Sequence, residues 1–484
     1  MDNGRLSSVL SPRCQHIIYG TPTPAAIAAE LGLISEVDLA HVVMLVEQGL
    51  VPPHAGAELL DYIGGLRQQA FAPLFYADTP RGLYLAYEQH LADVLGPETG
   101  GRLHTGRSRN DLKATTTSLR LRAESLGLLA ELQRLRAVLL ARARAYHEVV
   151  MAAYTHFQAA MPVTFGYYLL GLAIALGRDA RAVTDAARPL RYCPLGAGAV
   201  AGTDLAIDPA RTAELLGFEM PPRHALDAVA SRDTALRVLA AAAGAALTIS
   251  RLAVDLQLWS TAEFSFVEFP DSLVGGSSAM PQKRNAFLLE HLKAKPAIAI
   301  GAWTTAASAM MSAPFTNSIE VGTEAVAAIW PGLAAVKDAV LLAQVLVRAA
   351  RPCPGRMRDR ASRSYVTATA VANDLVRRGV PFRTAHHMVG AAVQRAISEG
   401  SDELTLPGHP RYDTPAAPRH TLEDVISRSG AGGPGQFSDT FAAARRELAE
   451  QGRCLEDARA RQRAADRRLA EAVNRIVASR AGHG

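Results

Sequence analysis

The run Gly275-Gly276-Ser277-Ser278-Ala279-Met280-Pro281-Gln282-Lys283-Arg284-Asn285 sets a hydroxyl just after a glycine pair, with an ammonium six residues and an amide eight residues beyond it. If this loop folds back on itself, the three groups face one anionic site. The cation and the amide then hold developing negative charge while the hydroxyl exchanges a proton. Such a set suits proton abstraction beside a carboxylate. The plainer reading of the same residues is a Gly-Ser loop ending at Pro281, with Lys283 and Arg284 in solvent.

Four further segments carry polar chemistry. Gly100 to Asp111 packs Arg102, Arg107 and Arg109, two hydroxyls and Asn110 into a glycine-bounded loop before a long helical stretch. Guanidinium forks and a helix N-terminus both favour carboxylates, although Asn110 and Asp111 would also serve as caps. In Tyr154-Thr155-His156-Phe157-Gln158 the acid/base group is His156, with polar neighbours that can orient it or hold substrate oxygens. Pro194 to Thr203 is a glycine-rich turn without the lysine of a phosphate loop, which reads as close backbone packing. Asp227 to Asp233 opens a helix, where its carboxylates favour the dipole and Arg232 is free to bridge subunits or substrate. The adjacent His386 and His387 point in different directions on a helix and lack carboxylate partners at ligand spacing, so no metal is expected.

These loops need a frame, and the rest of the chain describes one. Of 484 residues, 49% are hydrophobic but only 6% aromatic; Ala, Leu and Arg dominate and strand-like alternation is scarce, which predicts an all-α protein with a large core. Leu121, Leu128, Leu132, Leu135 and Leu139 recur at helical spacing in a proline-free stretch from Thr115 to Val150. Thr164 to Ala187 and Asp227 to Phe269 read as two more long helices, and the alanines between Val238 and Ile249 permit close packing in a bundle. The uncharged run Pro296 to Ile319 is long enough for a membrane but carries Pro, Gly, Thr and Ser; it reads as a helix buried among others. Breaks at Gly96 to Gly106 and at Arg351 to Gly355 divide the chain into three parts, 1–107, 108–355 and 356–484. Leu406 to Pro418 reads as a loop, and the segment from Asp439 as an amphipathic helix with a solvated face.

The net charge of +5 is spread along the chain, which argues against a nucleic-acid partner and is compatible with a small anionic substrate. Cys14, Cys193, Cys353 and Cys454 lie far apart, as in a reducing cytoplasm, and Met1 to Leu10 lacks the apolar core of an export signal. A cytoplasmic protein without a membrane segment is the expectation.

Taken in order and spacing, the segments resemble the argininosuccinate lyase family of the aspartase/fumarase superfamily, from about Ala40 to about Gly400. The glycine-rich "GGRLHTGRSRND" stands at Gly100 to Asp111, "YTHxQ" at Tyr154 to Gln158, "PLGAGAxAGT" at Pro194 to Thr203, and "LDAV" with "RD" at Leu226 to Asp233. The signature loop, 274–287, carries "MPQK", and "PFRxAHHxVG" is read at Pro381 to Gly390. The resemblance implies a three-domain, aspartase/fumarase-like subunit with a central bundle of long helices. Four copies would form a homotetramer with a 20-helix core, each active site being assembled from three subunits. It makes Ser277 the group that exchanges a proton with substrate carbon and His156 its acid/base partner. Ser108, Arg109, Asn110, Thr155, Gln158, Lys283 and Asn285 would hold the substrate. The reaction would be an anti-elimination of fumarate from an N-substituted aspartate, without cofactor or metal.

Four positions depart from the family pattern on the side that would meet the amine half. After Pro314 the family has a tyrosine, then a glutamine and a lysine five and eight residues on; here stand Phe315, Glu320 and Thr323. An upstream histidine is replaced by Tyr84. Argininosuccinate itself is therefore one substrate among several expected, and Glu320 adds a charge that attracts an amine. Two rival readings are a non-catalytic relative of the crystallin type and an adenylosuccinate lyase-like enzyme, the second disfavoured by the Gly100 to Asp111 string.

Overall fold

A computed structural model describes residues 9–79, 81–406, 411 and 419–481. Most of the loop expected at Leu406 to Pro418 lies outside the described residues. The first part of the chain folds into α1 (Pro12–Tyr19), α2 (Pro24–Glu47), α3 (Pro53–Gln68), α4 (Leu83–Leu95) and the short α5 (Pro97–Gly100). The middle contributes α6 (Arg109–Ala145), α7 (Phe165–Ala187), α8 (Pro209–Leu215), α9 (Ala225–Ala230), α10 (Asp233–Trp259), α11 (Leu288–Met311) and α12 (Val326–Ala349). Beyond Cys353 come α13 (Pro354–Ser362), α14 (Ala368–Arg377), α15 (Phe382–Glu399), α16 (Leu422–Arg428) and α17 (Phe437–Ala481).

Five of these, α6, α7, α10, α11 and α12, pack into one bundle, as the apolar spacing predicts. The leucine stripe of α6 is its seam: Leu121, Leu128, Leu132, Leu135 and Leu139 are all at most 2% exposed. Alanines 242, 243, 245 and 246 give α10 a narrow face. Gly332 of α12 lies so near that a Cβ there would stand 2.8 Å from the Ala302 side chain and 2.9 Å from that of Leu239. Larger residues would push the three helices apart.

Hydrogen bonds and ring contacts fix which ends meet. Phe165 and Gly166, which open α7, donate to the carbonyls of Val149 and Tyr146 just past α6. Trp259, which closes α10, packs on Phe165 and Tyr168, and Arg142 near the end of α6 donates to the Ala350 carbonyl just past α12. These contacts define the far end of the bundle. At the near end, the start of α6 bonds to the loop after α7 and to the segment after α11. With 37 residues, α6 separates the two ends by about 55 Å.

Three features differ from the expectations. The stretch Asp227 to Phe269 is not one helix: α9 ends at Ala230, Ser231 and Arg232 cap the break, and α10 closes at Trp259. The far end carries an antiparallel hairpin, β1 (Val150–Thr155) and β2 (Gln158–Thr164), which the scarce alternation did not announce. The run Pro296 to Ile319 is not enclosed: α11 ends at Met311, Pro296, Ala299 and Ala306 face the core, and Ile298, Ile300 and Trp303 point outward, each at least 40% exposed. Two other stretches, Asp233–Trp259 and Glu320–Ala349, pass a length-and-apolarity test for crossing a membrane, and both are packed into the bundle.

The 45-residue α17 runs back along α6 and α7 and ends in the N-terminal core, where Leu469, Ala472 and Ile476 join residues of α2 and α3. Arg136 of α6, fully buried, ties it down by donating to the Ala173 carbonyl at 3.0 Å and to Gln451 at 2.6 Å, with Glu447 3.4 Å away.

Candidate active site

At the near end, Ser108 is the N-cap of α6. Its hydroxyl accepts the Asn110 N–H, and its own N–H reaches Asp111 at 2.9 Å, closing a capping box. The second Asp111 oxygen accepts the N–H groups of Gly196 and Gly198 at 3.1 and 2.8 Å. The glycine-rich turn therefore wraps a carboxylate of the chain itself. Gly196 has φ +101° and Gly198 φ +59°, and a Cβ at 198 would strike the Gly202 carbonyl at 2.5 Å, so glycine is required there. Asp111→Ala leaves three N–H groups without their acceptor and is expected to cost roughly 2–4 kcal/mol, read as a lower urea midpoint.

The three loop arginines divide by role. Arg107 is buried, 2.6 Å from Asp38, and it donates to the Tyr84 hydroxyl at 3.2 Å. Arg102 donates to the Glu98 carbonyl. Arg109 is exposed at the start of α6, the most open of the three. Tyr84 also meets His104 Nδ1 at 2.9 Å. Burial, then Arg107 and Arg109, pull the His104 pKa down to about 4, so the ring is neutral at neutral pH. Burial first also raises the Tyr84 pKa.

Asn110 is partly engaged. Its Nδ2 donates to the Ala199 carbonyl at 3.0 Å and its Oδ1 accepts from Asn317 at 2.9 Å, which leaves one N–H and one lone pair for a ligand. The Asn317 contact brings in the segment that departs from the family pattern. Phe315 is 65% exposed, Glu320 is exposed, and its own backbone N–H and then Ser318 lower its pKa. Thr323 accepts a hydrogen bond from Lys113, a residue the sequence reading passed over although it stands one turn beyond Asn110.

At the far end, His156 and Phe157 form the two-residue loop of the hairpin, with φ +54° and +59°. Both central residues of such a turn need positive φ, and glycine or asparagine normally supply it. Two non-glycine residues held there store about 1–3 kcal/mol each, a strain that clusters at functional sites. The tip, Thr155 to Gln158, is exposed, Phe157 by 73%. Tyr154 anchors it on Phe264 and Phe266, which lead towards the signature loop.

That loop folds back. Gly275 and Asn285 exchange two backbone hydrogen bonds of 2.8 Å, so residues 276–284 close into a single lobe between α10 and α11. The Phe287 ring stands 3.1 Å from where a Gly275 Cβ would be. Ser277 Oγ accepts the N–H groups of Ala279 and Met280 at 3.3 and 3.0 Å. Arg284 turns away to Asp271 and the Phe269 carbonyl, leaving Lys283 exposed on the lobe with Ser277 and Asn285 partly covered. The residues expected at the site thus fall into two groups at opposite ends of the bundle. Ser108, Arg109 and Asn110 are near; Thr155, His156, Gln158, Ser277, Lys283 and Asn285 are far.

Comparison with known proteins adds the lineage. A family model described as "Lyase" matches residues 78–301, and one described as "Argininosuccinate lyase C-terminal" matches 365–416. Argininosuccinate lyase of Methanosarcina acetivorans is 37% identical over 355 residues, 73% of this chain and 72% of that one. The Thermus thermophilus protein of the same name is 37% identical over 420 residues, covering 84% and 90%. An EDDS lyase variant with bound fumarate superposes with a TM-score of 0.85 at 27% identity over the whole of both chains. The chain is a carbon–nitrogen lyase, and it belongs to the argininosuccinate lyase family of the aspartase/fumarase superfamily.

Proposed function

We propose that this carbon–nitrogen lyase releases fumarate from an N-substituted aspartate by anti-elimination, in a site shared between copies of the chain. Ser277 takes the proton from the carbon beside a carboxylate, and His156 is the partner acid/base group. Arg109, Asn110, Thr155, Gln158, Lys283 and Asn285 hold the succinyl carboxylates, and Ser108 fixes the turn that presents the first two. The carrying observation is the folded-back lobe, in which one loop presents Ser277, Lys283 and Asn285. A proton beside a carboxylate is very weakly acidic, so charge developing on an already anionic group must meet prepositioned donors. Loss of one such donor typically costs ~10²–10³ in turnover.

The homotetramer belongs to this reading. No side chain spans the bundle's length of about 55 Å, so near and far groups meet only between copies. The outward apolar faces of α10, α11 and α12, with Leu247, Val254, Ile298, Trp303, Leu341 and Val345 each at least 40% exposed, suit the core of such an assembly. The parts 1–107, 108–355 and 356–484 serve as its three domains in this reading.

The amine half is proposed to differ from arginine, because Phe315, Glu320 and Thr323 stand where the family pattern has tyrosine, glutamine and lysine. Steady-state release of fumarate from argininosuccinate and from a panel of fumarate–amine adducts tests this. Another adduct is expected to exceed argininosuccinate in kcat/KM by about tenfold or more, the scale of one or two lost polar contacts. Efficient turnover of argininosuccinate alone would refute it.

A further inference from the structure

Position 323 carries a threonine, yet a cation reaches it. Lys113, the fifth residue of α6, extends its ammonium to the Thr323 hydroxyl. Lys113 stands three residues after Asn110, and residues at that spacing share a helix face. Both side chains hold the same segment: Asn110 accepts from Asn317, and Lys113 donates to Thr323. The segment contains one turn of π-helix, Glu320–Ala325, leading into α12. Such turns are frequent at functional sites.

A second cation stands beside it. Arg232, the N-cap of α10, is 6% exposed. Its Nη1 donates to the Val229 and Ser231 carbonyls, while Nε and Nη2 meet no partner among the described residues. That Nη2 lies 4.0 Å from where a Cβ on Gly322 would be. Burial alone draws the Arg232 pKa down to about 10, which leaves it charged at neutral pH without a counter-ion among the described residues. Glu30 and Glu324 are the acidic groups that act on Lys113, and Arg232 acts on it as well. Lys113 remains exposed, so its ammonium can exchange the threonine hydroxyl for a stronger acceptor.

We propose that Lys113, backed by Arg232, is a specificity-determining residue that receives a carboxylate on the amine half of the substrate. The inference rests on reading residues 315–323 as the wall that meets that half. Any amine part that carries a carboxylate at this end, arginine's included, is then received by a residue of α6 and not by the segment after α11. An ammonium supplied from α6 does at Thr323 what a side chain of the segment itself would otherwise do.

The test compares two adducts of fumarate that differ in that carboxylate, one made with β-alanine and one with propylamine. Wild type is expected to favour the β-alanine adduct in kcat/KM. Lys113→Met should reduce that preference by about 10- to 100-fold, mostly through KM, and adding Thr323→Lys should restore it. Calorimetric titration of the Ser277→Ala protein, with and without Lys113→Met, with both adducts reads the same preference as binding, even if neither adduct is turned over. An unchanged preference in binding would overturn the proposal. Absence of fumarate release from every adduct by wild type, with the binding preference intact, would instead overturn the catalytic reading.

Discussion

Replacing Ser277 by alanine will lower fumarate release by roughly 10³-fold or more, with folding and adduct binding kept, because a positioned acid/base group contributes typically ~10²–10⁴. The local geometry explains why a hydroxyl can act here. Its oxygen accepts two backbone N–H groups, from Ala279 and Met280. Hydrogen bonds to the charged form favour it, so these donors lower the cost of an alkoxide. They also occupy the lone pairs and turn the hydroxyl hydrogen away from the loop backbone. Exposed Lys283, on the same lobe, supplies positive charge for the substrate carboxylate. Two measurements separate the roles of Ser277 and His156. Fumarate release reports the whole elimination, and deuterium exchange at the substrate carbon reports proton removal alone. Ser277→Ala should abolish both, whereas His156→Gln should depress release more than exchange. Exchange that survives in Ser277→Ala would assign the carbon base elsewhere.

Much of this frame was legible in the sequence because it is local. The leucine spacing of α6, the proline-free stretches and the caps depend on residues within one or two turns, so the stretches 115–150 and 164–187 fall on α6 and α7, whereas 227–269 is divided between α9 and α10 and ends ten residues early, at Trp259. That the signature segment is a loop was also legible from its glycine pair and Pro281, but its folding back entered only as a condition, because the closing pair is made by the backbones of Gly275 and Asn285, ten residues apart. The hairpin was not. Its strands are rich in alanine, and its turn is His-Phe, with none of the glycine or asparagine that usually announces positive φ. Roles fixed by distant partners were hidden as well. Arg107 looked like a ligand group because Asp38, its partner, lies far back in the chain. Lys113 drew no reading because Thr323 is 210 residues away. Pro296 to Ile319 looked enclosed because composition records apolarity without saying whether the same chain or another copy covers it.

Co-expression of two inactive variants is expected to restore activity. Arg109→Ala disables the near end of every copy, and His156→Ala the far end. Arg109 is exposed and outside the capping box, and His156 sits on an exposed turn, so neither substitution threatens the core. In a tetramer mixed at random, a site drawing Arg109 from one copy and His156 from another is intact when the first copy is the His156 variant and the second the Arg109 variant. Each condition holds half the time, so about a quarter of sites are whole. Purification through two different affinity tags, followed by fumarate release per tetramer, reads this directly. A site contained in one chain would give no recovery, since every copy would carry one lesion. Mixed tetramers as inactive as their parents would therefore refute a site that takes Arg109 and His156 from different copies, the arrangement that the separation along α6 requires.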